Sequence, residues 1–180
     1  MFTVKAFRGC TQRRRLAESG EAIGRFLGQG LSVLGDRLGP ILWSFMANKA
    51  FDAEDFAAFL DLLPGRLEGR RLRHCVEARH PSFVDPRFTA LCRDRGVAIC
   101  LVDDASIPMI DETTADFSYA RLMRGRDEIE TGYAPPDLDL WARRLALLGE
   151  GRRDVFAFFI REGKLRAPAA ALALADRLSS

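Results

Sequence analysis

The sequence has few of the residues that build disulfide frameworks and zinc sites. It contains four cysteines and two histidines. No two cysteines form a Cys-x-x-Cys pair, and the histidines do not complete a zinc pattern. Cys75 and Cys100 lie in apolar runs, where cysteine usually packs as a small hydrophobic residue. These features predict reduced thiols in a cytoplasmic protein.

Long apolar segments and a strong charge of one sign are also missing. No apolar run approaches the ~20 residues that a membrane-spanning helix needs, so we expect no membrane insertion. The first ten residues lack the architecture of a signal peptide, which predicts that the protein is not exported. The net charge is +2, and the basic residues are scattered apart from runs at 13–15 and 70–71. We therefore expect no nucleic-acid partner.

Glycine-rich phosphate loops are absent as well. Neither GxGxxG nor the Walker pattern follows any apolar run, which disfavours a nucleotide-binding Rossmann or P-loop protein. The chain has 180 residues with 48% hydrophobic and 29% charged content, and it has no low-complexity linker. These values predict one globular domain over residues 1–180.

Short apolar runs alternate with longer helical patterns along the chain. The predicted strands are rich in Val, Ile, Phe and Leu, and often apolar at consecutive positions, as in a parallel sheet covered on both faces. They occupy residues 2–7, 40–45, 72–78, 97–102, 117–122 and 155–160. Predicted helices occupy 19–34, 52–63, 85–95, 137–148 and 168–178, and only the 103–116 connection lacks one. This α/β pattern predicts six βα units in a parallel sheet with right-handed crossovers.

The segment at residues 74–83, HCVEARHPSF, brings together a carboxylate, a guanidinium and an imidazole that could bind a ligand or transfer a proton. An apolar, strand-like run leads into Glu77, Arg79 and His80, and the predicted strand ends at Pro81. In parallel α/β proteins, ligands bind at the carboxyl ends of the strands. Alternation places Glu77 and Arg79 on one side of the strand, with His80 at the rim. His74 precedes these residues, and we expect it on the surface at the opposite end.

Several stretches together resemble the YecE-like family, a TIM-barrel domain of unknown function (number seventy-two). The matching stretches are FTVKAF, LGDRLGPILWSF, VEARHPSF, RGVAICLVDD, TADFSYARL, GYAPPDLDLWARRL and RDVFAFF followed by AP. They occur in family order and cover essentially the whole chain. The resemblance implies an incomplete TIM-barrel-like fold that supplies six of eight βα units, equivalent to strands three to eight. It also implies that the chain is truncated at its N-terminus by roughly two such units.

The resemblance also implies departures where a functional site would lie. The family's glutamine and two prolines at the end of one strand are replaced by Ser44, Met46 and Ala47. A family histidine is lost within residues 121–125, RLMRG, and a family asparagine pair is replaced by residues 160–161. No activity is established for the family, so the resemblance supplies neither a reaction nor a cofactor.

The retained polar residues suggest an anion site on an enzyme-like barrel. We predict that Lys5, Arg79, Asp103 and Arg121 bind a small anionic ligand such as phosphate or carboxylate. Glu77 and His80 are the candidates for proton transfer.

Four alternatives stay open. Glu77, Arg79 and Lys5 would instead form a buried ion-pair network that closes the barrel interior. Glu77, His80 and Asp103 would be acceptable ligands for a divalent metal ion, although we assign no metal. A degenerate, non-enzymatic barrel would self-associate through its open edge strands as a homo-oligomer, and the lost family positions favour this alternative slightly. Finally, the true start codon would lie upstream of Met1.

Overall fold

The structure, a computed structural model, describes residues 1–160 and 165–179. Its main sheet has six parallel strands in the order β1-β2-β5-β6-β7-β8. The strands of this sheet are β1 (Phe2–Lys5), β2 (Leu38–Phe45), β5 (His74–Ala78), β6 (Ala98–Asp103), β7 (Phe117–Leu122) and β8 (Asp154–Phe159). All six predicted strands are present, and the α/β fold class of an incomplete TIM-barrel-like repeat is confirmed.

Within the described part of the chain, five α-helices cover the outer face of the sheet. They are α1 (Gly20–Leu27), α2 (Ala53–Asp61), α3 (Pro86–Asp94), α4 (Pro135–Leu148) and α5 (Ala167–Ser179). Asp52 caps α2 by accepting from Asp55 N at 2.8 Å, and Asp85 caps α3 by accepting from Arg87 N at 2.8 Å. The two helices agree with those predicted over 52–63 and 85–95. Within the described residues, the 103–116 connection contains no helix, as the sequence indicated.

Two local predictions differ from the structure. The predicted helix at 19–34 ends at Leu27, and a 3₁₀ segment (Leu31–Arg37) follows it. Gly30 separates them with a φ of +89°, a left-handed conformation that no α-helix accommodates. A small antiparallel hairpin, β3 (Arg66–Leu67) and β4 (Arg70–Arg71), was not predicted, because its charged residues give no apolar alternation. Arg161, which replaces a family asparagine, lies outside the described residues.

The expectation that His74 lies on the surface is wrong. It stands at the amino end of β5, as expected, but only 7% of it is exposed. Trp43 on the neighbouring strand β2 donates its indole N–H to His74 Nδ1 at 3.1 Å, and Pro64 O lies 2.9 Å from Nε2. Because both ring nitrogens have partners, burial of the imidazole leaves no polar atom unsatisfied. Burial also lowers the pKa of His74, which keeps the ring neutral.

The core lies in layers on both faces of the sheet. On the outer face, α1, α2 and α3 pack over β2 and β5, while α4 and α5 pack over β7 and β8. On the concave face, inward-pointing side chains form a separate core, which we call the concave core. It contains Leu42, Cys75, Ala98, Cys100, Val102, Ile107, Phe117 and Tyr119.

The sheet curls strongly enough for distant strands to touch across its concave face. Thr3 Oγ1 lies 3.4 Å from the Tyr119 hydroxyl, although three strands separate β1 from β7. At the amino ends of the strands, Arg73 Nη1 donates to Asp154 Oδ2 at 2.6 Å, at the start of β8. The interior of the partial barrel is therefore filled by side chains, as in closed barrels of this type.

Candidate functional site

A buried carboxylate occupies the carboxyl end of the concave face. Glu77 on β5 is fully buried, with 0% exposure. Its Oε1 accepts hydrogen bonds from Ser44 Oγ at 3.0 Å and from Arg79 Nε at 2.6 Å. Its Oε2 accepts a hydrogen bond from Arg121 Nη1. We call Glu77 and these three donors the Glu77 cluster; its charge-assisted bonds are the strong type of hydrogen bond.

Strand alternation explains why these side chains meet. In β5, Glu77 lies two residues after Cys75, which belongs to the concave core, and therefore points to the same face. Arg121 follows Tyr119 on β7 in the same way. Ser44 stands directly opposite Glu77 in the parallel register of β2 and β5. The prediction that Glu77 and Arg79 share one side of the strand is confirmed by their direct hydrogen bond.

The surrounding charges decide the protonation state of Glu77. Burial alone would raise the pKa of this carboxyl, but the Arg121 and Arg79 guanidinium groups hold its pKa below the ordinary value. Lys5, at the end of β1, responds to the same charges. Lys5 is exposed as a residue, but partial burial of its ammonium lowers its pKa, and the Arg121 charge lowers it further, while Glu77 acts in the opposite direction. The cluster therefore contains an ionised carboxylate, and the charges of its members act on the Lys5 ammonium.

Cations outnumber carboxylates in this part of the site. Lys5, Arg79 and Arg121 all act on the Glu77 carboxylate, and Arg79 also interacts with the half-buried Asp104. Arg121 is only 7% exposed, and its Nε–H has no hydrogen-bond acceptor among the described residues. A buried donor without an acceptor costs about 1–3 kcal/mol, so it calls for an explanation. The cluster therefore carries more positive than negative charge, and one of its buried hydrogen-bond donors has no acceptor.

His80 follows the cluster at the rim, and its environment fixes its tautomer. Ser82 N–H donates to His80 Nδ1 at 3.1 Å, and a backbone N–H can only donate. Ser82 Oγ accepts from Phe51 N at 2.7 Å, and its own proton is directed to His80 Nδ1 at 2.7 Å. Because Nδ1 receives two donors, the neutral imidazole carries its proton on Nε2. His80 therefore presents an N–H donor to its surroundings.

Asp103 is not part of the Glu77 cluster. It alternates with Val102 of the concave core, so its side chain lies on the outer face of the sheet. There it accepts a hydrogen bond from the Tyr133 hydroxyl at 3.2 Å and lies 3.5 Å from Arg124 Nη1. Burial raises the pKa of Asp103, although Tyr133 and Arg124 act against that shift. Of the predicted residues, Lys5, Glu77, Arg79 and Arg121 are brought together.

The alternative metal site has no matching geometry in the structure. Within residues 1–160 and 165–179, no group of three His, Cys, Asp or Glu side chains is placed to hold a metal ion. Glu77 and Asp103 lie on opposite faces of the sheet, and His80 Nδ1 is occupied by Ser82. Sequence reasoning treated Ser44 only as a lost family position. Its role as a donor to Glu77 could have been inferred from its place two residues after the inward-facing Leu42.

The family of the chain follows from a comparison with family models. The model described as "Protein of unknown function DUF72" matches residues 1–180. The chain belongs to the DUF72 family. This result confirms the resemblance inferred from the sequence motifs, and DUF72 is a family without an assigned function. No curated protein matches the chain.

Solved structures of other DUF72 proteins share the fold. A DUF72 family protein from Thermotoga maritima MSB8 is 22% identical with a TM-score of 0.76, and the match covers 99% of this chain and 74% of that chain. A DUF72 family protein from Enterococcus faecalis V583 is 16% identical with a TM-score of 0.78, and the match covers 99% of this chain and 78% of that chain. At these identities the likeness establishes the fold alone. Within residues 1–160 and 165–179, this DUF72 chain has no helix that combines the length and the apolar composition needed to span a bilayer.

Proposed function

We propose that the carboxyl ends of β1, β5 and β7 bind a small anion, such as phosphate or a carboxylate. The observation that carries the proposal is the surplus of cationic side chains around Glu77, of which Arg79 and Lys5 are open to an incoming ligand. An anion that entered beside Arg79 and Lys5 would supply acceptors to a cluster that has too few. The position agrees with the usual place of ligand sites on parallel βα folds.

Within this proposal, the residues have different roles. Arg79, whose side chain is 21% exposed, and the exposed Lys5 are the groups that an incoming ligand can reach. Glu77 positions the two guanidinium groups, because both of its oxygens already accept hydrogen bonds. Proton transfer, predicted for Glu77 or His80, is better suited to His80 because its Nε2–H is the donor that the Ser82 contacts leave available. Asp103 has no place in this site.

Isothermal titration with inorganic phosphate and with acetate tests the proposal. Arg79→Gln removes one charge at the accessible side of the cluster and should weaken phosphate binding by about tenfold or more. Arg25→Gln is the matched control, because Arg25 lies on α1 and, among the residues that the structure describes, pairs only with the exposed Glu21 at 2.8 Å. Circular dichroism of both variants is recorded in parallel. Equal phosphate affinity of Arg79→Gln and the unmodified chain would contradict the proposal. So would the absence of phosphate binding to the unmodified chain.

If Arg79→Gln unfolds the chain, the cluster is the structural network described above as the alternative. Lys5→Gln then separates the two roles, because Lys5 is exposed and makes no hydrogen bond to Glu77 among the described residues. A folded Lys5→Gln variant with weakened phosphate binding supports the anion site. A folded variant with unchanged binding opposes it.

A second candidate function is self-association through the sheet edges. In the described residues, β1 and β8 each pair with a neighbour on one side only, and Phe2 on β1 is 56% exposed. Unpaired edge strands of this type recruit other strands. Light scattering coupled to size-exclusion chromatography tests this candidate, and a monodisperse monomer at high concentration would contradict it.

The four unpaired cysteines are compatible with a cytoplasmic location, which we also propose.

A further inference from the structure

A cavity of about 480 Å³ opens beyond the carboxyl ends of β6 and β7, on the outer face of the sheet. Asp103 lines it from the end of β6, and Arg124 lines it from the segment after β7. Its volume falls in the range of roughly 300–1,000 Å³ that is typical of small-molecule sites. Because Asp103 points away from the concave face, this cavity is separate from the Glu77 cluster.

Two guanidinium groups at the cavity are only weakly engaged. Arg124 lies 3.5 Å from Asp103 Oδ1, and Arg126 lies 3.8 Å from Glu128 Oε1. Both distances are longer than a hydrogen bond, and the two arginine side chains are 64% and 55% exposed. Arg144 differs, because it donates to Asp111 at 2.7 Å and stacks on the Trp141 ring at 5.3 Å. Arg124 and Arg126 therefore have donors available for a ligand.

Apolar side chains line the same cavity. Leu140 on α4 is 57% exposed, and Met109 in the β6–β7 connection is 41% exposed. Leu140 lies on the α4 face of Asp137 and Arg144, three and four residues away, which turns it toward the cavity and away from the core. An apolar ligand group would remove apolar surface of both side chains from water, which favours its binding.

The acidic groups limit the charge of a ligand. Three arginines line the cavity together with the carboxyls of Asp103 and Asp137. The Asp103 carboxyl is covered by the Tyr133 hydroxyl and is 5% exposed, so it forms part of the floor. Asp137 stands in the first turn of α4, and its charge opposes a highly charged anion. Because Arg144 is already paired with Asp111, Arg124 and Arg126 are left to balance the carboxyls of Asp103 and Asp137, and this balance suits a ligand with no more than a single negative charge.

We infer that this cavity binds a small monoanion with an apolar body, such as an aryl or alkyl carboxylate. The carboxylate lies between Arg124 and Arg126, where a guanidinium can bind it with two parallel hydrogen bonds. The apolar body packs against Leu140 and Met109. None of the residues that line this cavity belongs to the Glu77 cluster, so the two sites are distinct.

Benzoate is the probe for this site, and the two tryptophan indole N–H signals in a ¹H–¹⁵N spectrum are the readout. Trp141 lines the cavity, whereas Trp43 is 0% exposed in the core and serves as an internal control. Benzoate should shift the Trp141 signal and leave the Trp43 signal in place. Benzamide lacks the charge and acetate lacks the ring, so each should bind at least about tenfold more weakly than benzoate.

The double variant Arg124→Gln and Arg126→Gln should weaken benzoate binding by about tenfold or more, with the fold intact because both side chains are largely exposed. Arg79→Gln, which alters the other site, should leave the benzoate titration unchanged. Three results would overturn the inference: no Trp141 shift with benzoate, equal binding of acetate or benzamide, or full binding by the double variant.

Discussion

Glu77 on β5 and Arg121 on β7 are hydrogen-bonded to each other across the strand that separates them, β6. Both side chains are buried, at 0% and 7% exposure. Both side chains point to the concave face, where the curl of the sheet turns them toward each other. The pair therefore links the curvature of the partial barrel to the electrostatics of its concave face.

Removing the charge of Glu77 should strongly destabilise the chain. Glu77→Gln leaves Arg79 and Arg121 without their carboxylate partner, and breaking a buried ion pair on one side typically costs about 3–5 kcal/mol. Urea unfolding followed by circular dichroism measures the loss. Glu21→Gln is the control, because Glu21 forms an exposed pair with Arg25 whose loss should cost less than about 0.5 kcal/mol. Equal stability of the two variants would show that the pair contributes little.

The same residue predicts a pH dependence. Because the pKa of Glu77 is lower in the folded state than in the unfolded chain, the unfolded state binds more protons at pH values between these two pKa values. The stability that Glu77 contributes is fully present above its unfolded pKa, about 4.3, and is lost as the pH falls through the folded pKa. Glu77→Gln should therefore flatten this part of the stability profile. A variant whose free energy of unfolding keeps the original slope below about pH 4.5 would contradict the assignment.

Much of this arrangement could be predicted from residue order, and the missing parts have physical causes. The strand carrying Glu77 was predictable because a short apolar run precedes a polar end, and period-2 alternation then places Arg79 beside Glu77. The position of Asp103 was not predictable in the same way. Residues 97–102 are apolar at consecutive positions, so no alternation of polar and apolar residues shows which side chains point inward and which point outward. Only the curled sheet shows that Asp103 faces outward.

The tautomer of His80 is the third prediction. Ser82 directs two donors to Nδ1, so the neutral ring should carry its proton on Nε2. Long-range ¹H–¹⁵N correlation spectra at a pH where the ring is neutral should show Nδ1 as the unprotonated nitrogen. His74, whose Nδ1 accepts from Trp43, should show the same tautomer and provides a reference within the chain.

Ser82→Ala tests the cause of that tautomer. The change removes the hydroxyl that accepts from Phe51 N, so it should lower the free energy of unfolding by about 1–3 kcal/mol through the unsatisfied N–H. The remaining Ser82 position still donates its backbone N–H, so the Nε2–H form of His80 should persist with a shifted Nδ1 resonance. A protonated Nδ1 in the unmodified chain would refute the hydrogen-bond assignment.

Asp103 gives the fourth prediction, with the opposite sign to Glu77. Because burial raises the pKa of Asp103 in the folded chain, the folded state binds more protons than the unfolded state. Its contribution to stability is therefore greatest below the unfolded pKa, about 3.9, and is lost as the pH rises through the folded pKa. Asp103→Asn removes this dependence, so the variant should gain stability relative to the unmodified chain as the pH rises to neutrality.

Tyr133→Phe separates the charge of Asp103 from its hydrogen bond. The hydroxyl of Tyr133 donates to Asp103 Oδ2 at 3.2 Å and accepts from Arg124 N at 2.8 Å, so its removal leaves a buried carboxylate with less support. At neutral pH the variant should lose about 1–3 kcal/mol. That loss should shrink in acid, where the carboxyl is neutral. Urea unfolding of both variants from pH 3 to pH 8 measures the two trends. Parallel profiles for Asp103→Asn and the unmodified chain would mean that Asp103 titrates alike in both states, and the burial argument would fail.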